Sequence, residues 1–104
     1  MSNIDEIIAV IASYLLGSVP FAVIVGKIAG IGDITKLGSG NPGATNMARV
    51  GGKKLGAITL VLDFAKGFIA TYVAYLLFDQ AVMMACGTAA ILGHCFSIFL
   101  KFKG

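Results

Sequence analysis

The chain has 104 residues, of which 58% are hydrophobic and only 12% charged, with a formal net charge of +3 and a mean hydropathy of +0.93. A soluble domain of this size needs polar surface over most of its area, and five acids with eight bases cannot supply it. The composition excludes a water-soluble fold and points to the bilayer as the working solvent.

Three apolar runs, 7–26, 57–78 and 81–100, are each long enough to cross about 30 Å of hydrocarbon as a helix. None shows the sustained alternation of a barrel strand. The fold class expected is therefore all-α integral membrane: transmembrane helices at about 5–27, 56–78 and 81–101, plus a short interfacial helix at about 42–50. All 104 residues read as one membrane domain, part of a larger helix bundle that is incomplete at the C-terminus.

The first run is flanked by Asp5 and Glu6, where a secretory signal would carry bases, so it is expected to stay in the mature protein. Within it, Gly17-Ser18-Val19-Pro20 predicts a kink, because Pro20 cannot donate to the carbonyl of Leu16 and Ser18 can help satisfy freed groups. Lys27 closes the run, placed either to snorkel to headgroups or to meet a ligand.

Between the first two runs lies the substantial polar segment, 27–54. Asn41 is a favoured N-cap, Pro42 a favoured first helical residue and Gly51 a suitable stop, which predicts a helix from Pro42 to Val50. Thr45, Asn46 and Arg49 would share its polar face, with Ala44, Met47 and Ala48 opposite. The preceding Gly38-Ser39-Gly40 would let backbone N–H groups curl around an anion, and the Arg49 side chain leans back toward the same helix end. The plainer alternative is an interfacial connector whose Arg49 meets lipid headgroups.

Two better-known motifs fail here. Gly38-x-Gly40-x-x-Gly43 has the dinucleotide-fingerprint spacing but follows a membrane helix where a strand is required. The Gly38 to Gly43 spacing also fits a P-loop, yet Ala44 stands where the essential lysine would be.

In the second run, Asp63 and Lys66 are spaced to meet on one helix face, either as a self-neutralising pair or as substrate contacts, and Gly67 would allow close approach of another helix or a ligand. Asp79 and Gln80 form a tight hairpin into the third run, whose Cys86 and Cys95 fall on opposite helix faces and read as small buried packing residues. His94 and Ser97 lie near its end, the imidazole read as structural or functional. No metal set is expected. With the N-terminus outside, Asp5, Glu6 and Asp79 are the outer charges while all eight bases fall on the inner side, as the positive-inside rule requires.

Gly17-Ser18-x-Pro20 with Lys27, the run from Gly38 through Asn46 to Arg49, Leu62-Asp63-x-x-Lys66-Gly67, and Gly93-His94-x-Phe96-Ser97 continuing to Lys103 together resemble the bacterial membrane glycerol-3-phosphate acyltransferases that use acyl phosphate, the PlsY family. The resemblance implies transfer of a fatty acyl group from acyl phosphate to the sn-1 hydroxyl of glycerol 3-phosphate, giving lysophosphatidate in the bacterial inner membrane, with the 27–56 loop cytoplasmic. It implies no cofactor, no metal and no nucleic acid, and membrane lipid as a partner. Ser39, Arg49 and His94 would be catalytic. Ser18, Lys27, Gly38, Gly40, Asn41, Gly43, Thr45, Asn46, Asp63, Lys66, Ser97 and Lys103 would bind substrate. Family members are longer and carry a C-terminal His and Asn pair absent here, so this chain reads as an N-terminal fragment needing self-association or the missing helices.

Two other classes fit the apolar runs: a small oligomeric transporter or channel subunit with Asp63 and Lys66 in its path, and a structural membrane adaptor. The capped glycine-rich loop argues against the first, since a translocation path has no evident use for a phosphate cradle outside the spans.

Overall fold

The computed structural model describes residues 2–100, and every regular element in that range is helical. Five α-helices run in order: α1 (Asn3–Ser18), α2 (Phe21–Ile28), α3 (Ala44–Gly51), α4 (Lys53–Leu77) and α5 (Gln80–Cys95), with 3-10 turns at Ile34–Lys36 and Ile98–Leu100. Residues 101–104, including Lys103, lie outside the described range.

The expected first span is not one helix. α1 starts on a capping box in which the Asp5 N–H donates to Ser2 Oγ and the Asp5 carboxylate accepts from the Ser2 N–H, and it ends at Ser18. The helical bonding stops where Pro20 lacks an N–H, and α2 resumes at Phe21 with Ile24 donating to the Pro20 carbonyl. The kink expected at Gly17–Pro20 is thus a full break.

α4 is 25 residues long, which at 1.5 Å per residue gives about 37 Å, enough to cross the hydrocarbon unaided. Lys53–Leu77 and Gln80–Leu100 are each long and apolar enough to span a membrane, and α1 with α2 makes a third span if the broken pair crosses as one. α5 ends at Cys95, short of the expected 101, where the Phe96 backbone leaves helical angles while its N–H still donates to the Leu92 carbonyl. Leu60, Val61, Phe64, Phe68, Leu76 and Ile91 are each more than half exposed, a surface that suits lipid and not water. Tyr72 stacks on both Phe68 and Tyr75 along α4.

The chain divides into two compact units. The first comprises residues 2–19 and 64–100, in which α1 packs along α5. The crossing is close because both helices present glycine: a Cβ on Gly17 would lie 2.0 Å from the Ala90 carbonyl oxygen, and one on Gly93 would lie 2.2 Å from that of Tyr14. Gly67, expected to allow close approach of another helix or a ligand, has open space around it. Cys86 is buried as expected, whereas Cys95, in the last turn of α5, is exposed.

The second unit covers residues 20–63. Ala22 and Val25 of α2, Ile34 of the 3-10 turn and Met47 of α3 form its buried apolar core, with Val23, Ile31, Val50, Leu55 and Leu62 packed around them. α3 runs into α4 through Gly52 alone, so the connector expected between the short helix and the second span is a single residue.

Candidate functional site

The polar centre of the second unit is the side chain of Asn46, which is 2% exposed. Its Nδ2 donates to the carbonyl oxygens of Leu37 and Asn41 at 3.0 Å and of Ile34 at 3.2 Å, while its Oδ1 accepts from the Ser39 N–H at 3.1 Å. One amide on α3 thereby ties down the segment from residue 34 to residue 41. It does not stand with Thr45 and Arg49 on an exposed polar face, as helical spacing suggests; the loop folds over it and buries it with Met47.

The glycines serve the same tie. Gly38 and Gly40 have positive φ angles of 54° and 77°. A Cβ on Gly38 would lie 2.3 Å from Asn46 Oδ1, so this glycine makes room for a side chain of the protein and not for a ligand. The N–H groups expected to cradle an anion are committed as well: Ser39 donates to Asn46, Gly40 to the Leu37 carbonyl at 2.9 Å, and Asn41 to Ser39 Oγ at 3.3 Å.

The α3 N-terminus differs from the expectation in a way that leaves it open. The helix starts at Ala44 with Gly43 as N-cap, not at Pro42 behind Asn41, and no side chain caps it. The Asn41 backbone is tied into the loop, its N–H donating to Ser39 Oγ and its carbonyl accepting from Asn46 Nδ2. Met47 makes the first helical bond, to the Gly43 carbonyl, so the N–H groups ahead of it have no acceptor within the helix. Ser39 in the segment before α3, Thr45 in its first turn and Arg49 in its last turn are exposed. Because Ser39 Oγ already accepts from Asn41, its hydroxyl proton remains available for donation outward.

Sequence reasoning passed over Asp33 and Thr35. Asp33 Oδ1 accepts from the Thr35 hydroxyl at 2.6 Å and from the Thr35 N–H at 3.0 Å, capping the 3-10 turn. These two bonds, led by the hydroxyl, hold the Asp33 carboxyl below its ordinary pKa against an opposing effect of burial, with Lys27 and Lys36 adding a lesser attraction. The signal was present: Asp-x-Thr is a common local capping pattern. Lys27 itself is exposed at the end of α2.

Of the remaining residues expected to bind substrate, Ser18, Lys66 and Ser97 belong to the first unit, and there they hold the broken end of α1. Ser18 Oγ donates to the Tyr14 carbonyl at 2.8 Å, Ser97 Oγ donates to the Ser18 carbonyl, and Tyr14 Oη donates to the Phe96 carbonyl. Lys66, 4% exposed, donates from Nζ to the Val19 carbonyl at 3.0 Å. The carbonyls of Ser18 and Val19 are those that lose their helical donors at the break, so Ser97 and Lys66 replace those donors. Neither Ser18 nor Ser97 is accessible, at 1% and 2% exposure, and Lys66 is seated on a backbone oxygen. His94 is exposed in the last turn of α5, and Asp63 is half-buried in the second unit.

The glycerol-3-phosphate acyltransferase family model matches residues 7–104. The chain belongs to this family. It is 46% identical to a glycerol-3-phosphate acyltransferase of Erythrobacter litoralis (strain HTCC2594) over 98% of its own length and 51% of the relative's. With a namesake from Agrobacterium fabrum (strain C58 / ATCC 33970) it shares 50% identity over 93% of this chain and 47% of that one. Among solved structures it is similar to PlsY, an integral membrane glycerol 3-phosphate acyltransferase, in its glycerol 3-phosphate form, at a TM-score of 0.86 and 43% identity, covering 96% of this chain and 50% of that one. The lysophosphatidic acid form of PlsY matches at the same TM-score and 42% identity. The chain spans about half the length of the curated relatives it matches.

Proposed function

We propose that this chain supplies the phosphate-binding part of an acyltransferase that moves a fatty acyl group from acyl phosphate to the sn-1 hydroxyl of glycerol 3-phosphate. The ester C–O bond forms at the acyl carbon, the anhydride C–O bond to phosphate breaks, and the hydroxyl proton passes to phosphate or solvent. Lysophosphatidate and inorganic phosphate are the products. The supporting likeness is to a protein solved in both glycerol 3-phosphate and lysophosphatidic acid forms.

The observation that carries the reading is the uncapped N-terminus of α3, with exposed Ser39 in the segment before it, exposed Thr45 in its first turn and exposed Arg49 in its last turn, whose side chain leans back toward the helix start. Both substrates bear phosphate, and a helix end with free N–H donors, two hydroxyls and a guanidinium matches a tetrahedral dianion. Ser39 and Arg49 are the residues assigned to the reacting phosphate. Thr45 and the backbone at Gly43 assist, and Lys27 and Asp63 are accessory contacts. Fixed cations and donors orient the reactants and offset the charge that builds on the departing phosphate. The bases of the segment support a position at the cytoplasmic face of the inner membrane, with the N-terminus outside and α3 at the interface, beside the acyl chains. The chain works as one membrane domain alongside further helices.

The test is acyl-phosphate-dependent lysophosphatidate formation by this chain co-expressed with the C-terminal half of the Erythrobacter litoralis relative, with that relative split at the same point as control. Product from both pairs is expected. Product from the control pair alone would overturn the reading.

A further inference from the structure

The phosphate reading assigns roles to exposed groups and leaves Asn46 without one, although it makes four hydrogen bonds and is 2% exposed. We propose that Asn46 is a positioning residue, which sets the Ser39 hydroxyl against the α3 N-terminus by pinning the 34–41 segment to α3; the proposal rests on the phosphate reading above.

The geometry forms a relay with each step visible. Asn46 Oδ1 fixes the Ser39 N–H, and Nδ2 fixes the carbonyls that bracket Ser39, those of Leu37 and Asn41. Asn41, so held, directs its N–H at Ser39 Oγ, which occupies one lone pair and orients the hydroxyl. The glycine at 38 completes the seat, since its missing side chain is the space that Asn46 Oδ1 fills. A side chain that spends both its donor hydrogens and its acceptor on the loop has nothing left for a substrate phosphate. Its effect on the reaction must pass through Ser39. Backbone ties of this kind matter in catalysis because a displacement of about 1 Å in a reacting group costs about 100-fold in rate.

Two substitutions break the same seat from opposite sides. Asn46→Ala removes the amide. Gly38→Ala leaves the amide intact but drives a methyl group into Oδ1. Amide hydrogen exchange of the chain in detergent micelles should show Ser39 and Asn41 losing at least about 10-fold in protection in both variants, with α1 and α5 unchanged. In the complemented enzyme, both should lower kcat by about 100-fold while changing KM for glycerol 3-phosphate by less than about 3-fold, unlike a variant that removes a phosphate contact.

Should Asn46→Ala fail to fold, the Gly38→Ala variant alone carries both readouts. Retained Ser39 protection would overturn the proposal. So would an unaltered kcat in variants that have lost protection, if Ser39→Ala and Arg49→Ala still impair turnover. If neither Ser39→Ala nor Arg49→Ala affects turnover, the phosphate reading itself fails and the proposal falls with it, a pattern distinct from the other two.

Discussion

The ammonium of Lys66 donates to the carbonyl oxygen of Val19 at 3.0 Å, across 47 residues of sequence. Val19 is the residue at which α1 has ended and Pro20 cannot restart the bonding, so this lysine supplies the donor that the break removes. Lys66→Met keeps the length and apolar stem of the side chain and deletes the donor. Leaving a buried carbonyl unsatisfied costs about 1–3 kcal/mol, so for this part-buried one thermal unfolding in detergent should register a loss near the lower end. A variant as stable as the parent would show that the contact contributes nothing.

The α1–α5 crossing makes a sharper contrast. Gly17→Ala places a methyl group 2.0 Å from the Ala90 carbonyl oxygen, and backbone atoms cannot rotate away. Overpacking of this kind costs about 1–3 kcal/mol or more. Gly67→Ala, in the middle of α4 with open space around it, should instead gain up to about 1 kcal/mol from helix propensity. The two variants should move the unfolding midpoint in opposite directions.

Arg49 is exposed in the last turn of α3, and its guanidinium contributes charge more than packing. Arg49→Ala should raise KM for glycerol 3-phosphate in the complemented enzyme by about 10- to 100-fold, the loss of one hydrogen bond to a charged group, and leave the unfolding midpoint within error. Steady-state kinetics alongside thermal unfolding separates the two effects. A parallel loss of stability and activity would assign Arg49 a structural role.

Asp33 adds a pH dependence. Its carboxyl pKa is lowered in the fold by the Thr35 hydroxyl and N–H, with help from Lys27 and Lys36. A lowered pKa means the stabilisation is fully present above the unfolded value, about pH 4, and is lost as pH falls from there through the folded value. The Thr35 amide resonance should therefore hold its position from neutral pH down to about pH 4 and shift below it, and Asp33→Asn should abolish that transition.

The sequence carried the helical class because the apolar runs are long and nothing within them alternates; it carried the break near Pro20 because a missing N–H is a local fact. The α3 helix was also legible, though not its start. Asn41 is a good N-cap by composition, but the folded loop, which holds its backbone N–H on Ser39 Oγ and its carbonyl on Asn46, starts the helix at Ala44 with Gly43 as N-cap. Asn46 shows the same limit: helical spacing groups it with Thr45 and Arg49, and only the loop packed over α3 turns it into a buried tie. Ser18, Ser97 and Lys66 were flagged as polar groups where polarity is costly, which was sound. Ser18 serves the Tyr14 carbonyl four residues away, a local pattern, whereas Lys66 and Ser97 serve carbonyls 47 and 79 residues away, which no local pattern encodes.

Amide chemical-shift titration of the isotope-labelled chain in detergent micelles with inorganic phosphate tests the phosphate site most directly. Saturable shifts at Gly43, Ala44 and Thr45, reaching half-effect below about 10 mM and weakened in Arg49→Ala, are the expected result. Shifts that are absent there, or spread over Lys53 and Lys54 and unaffected by Arg49→Ala, would contradict it.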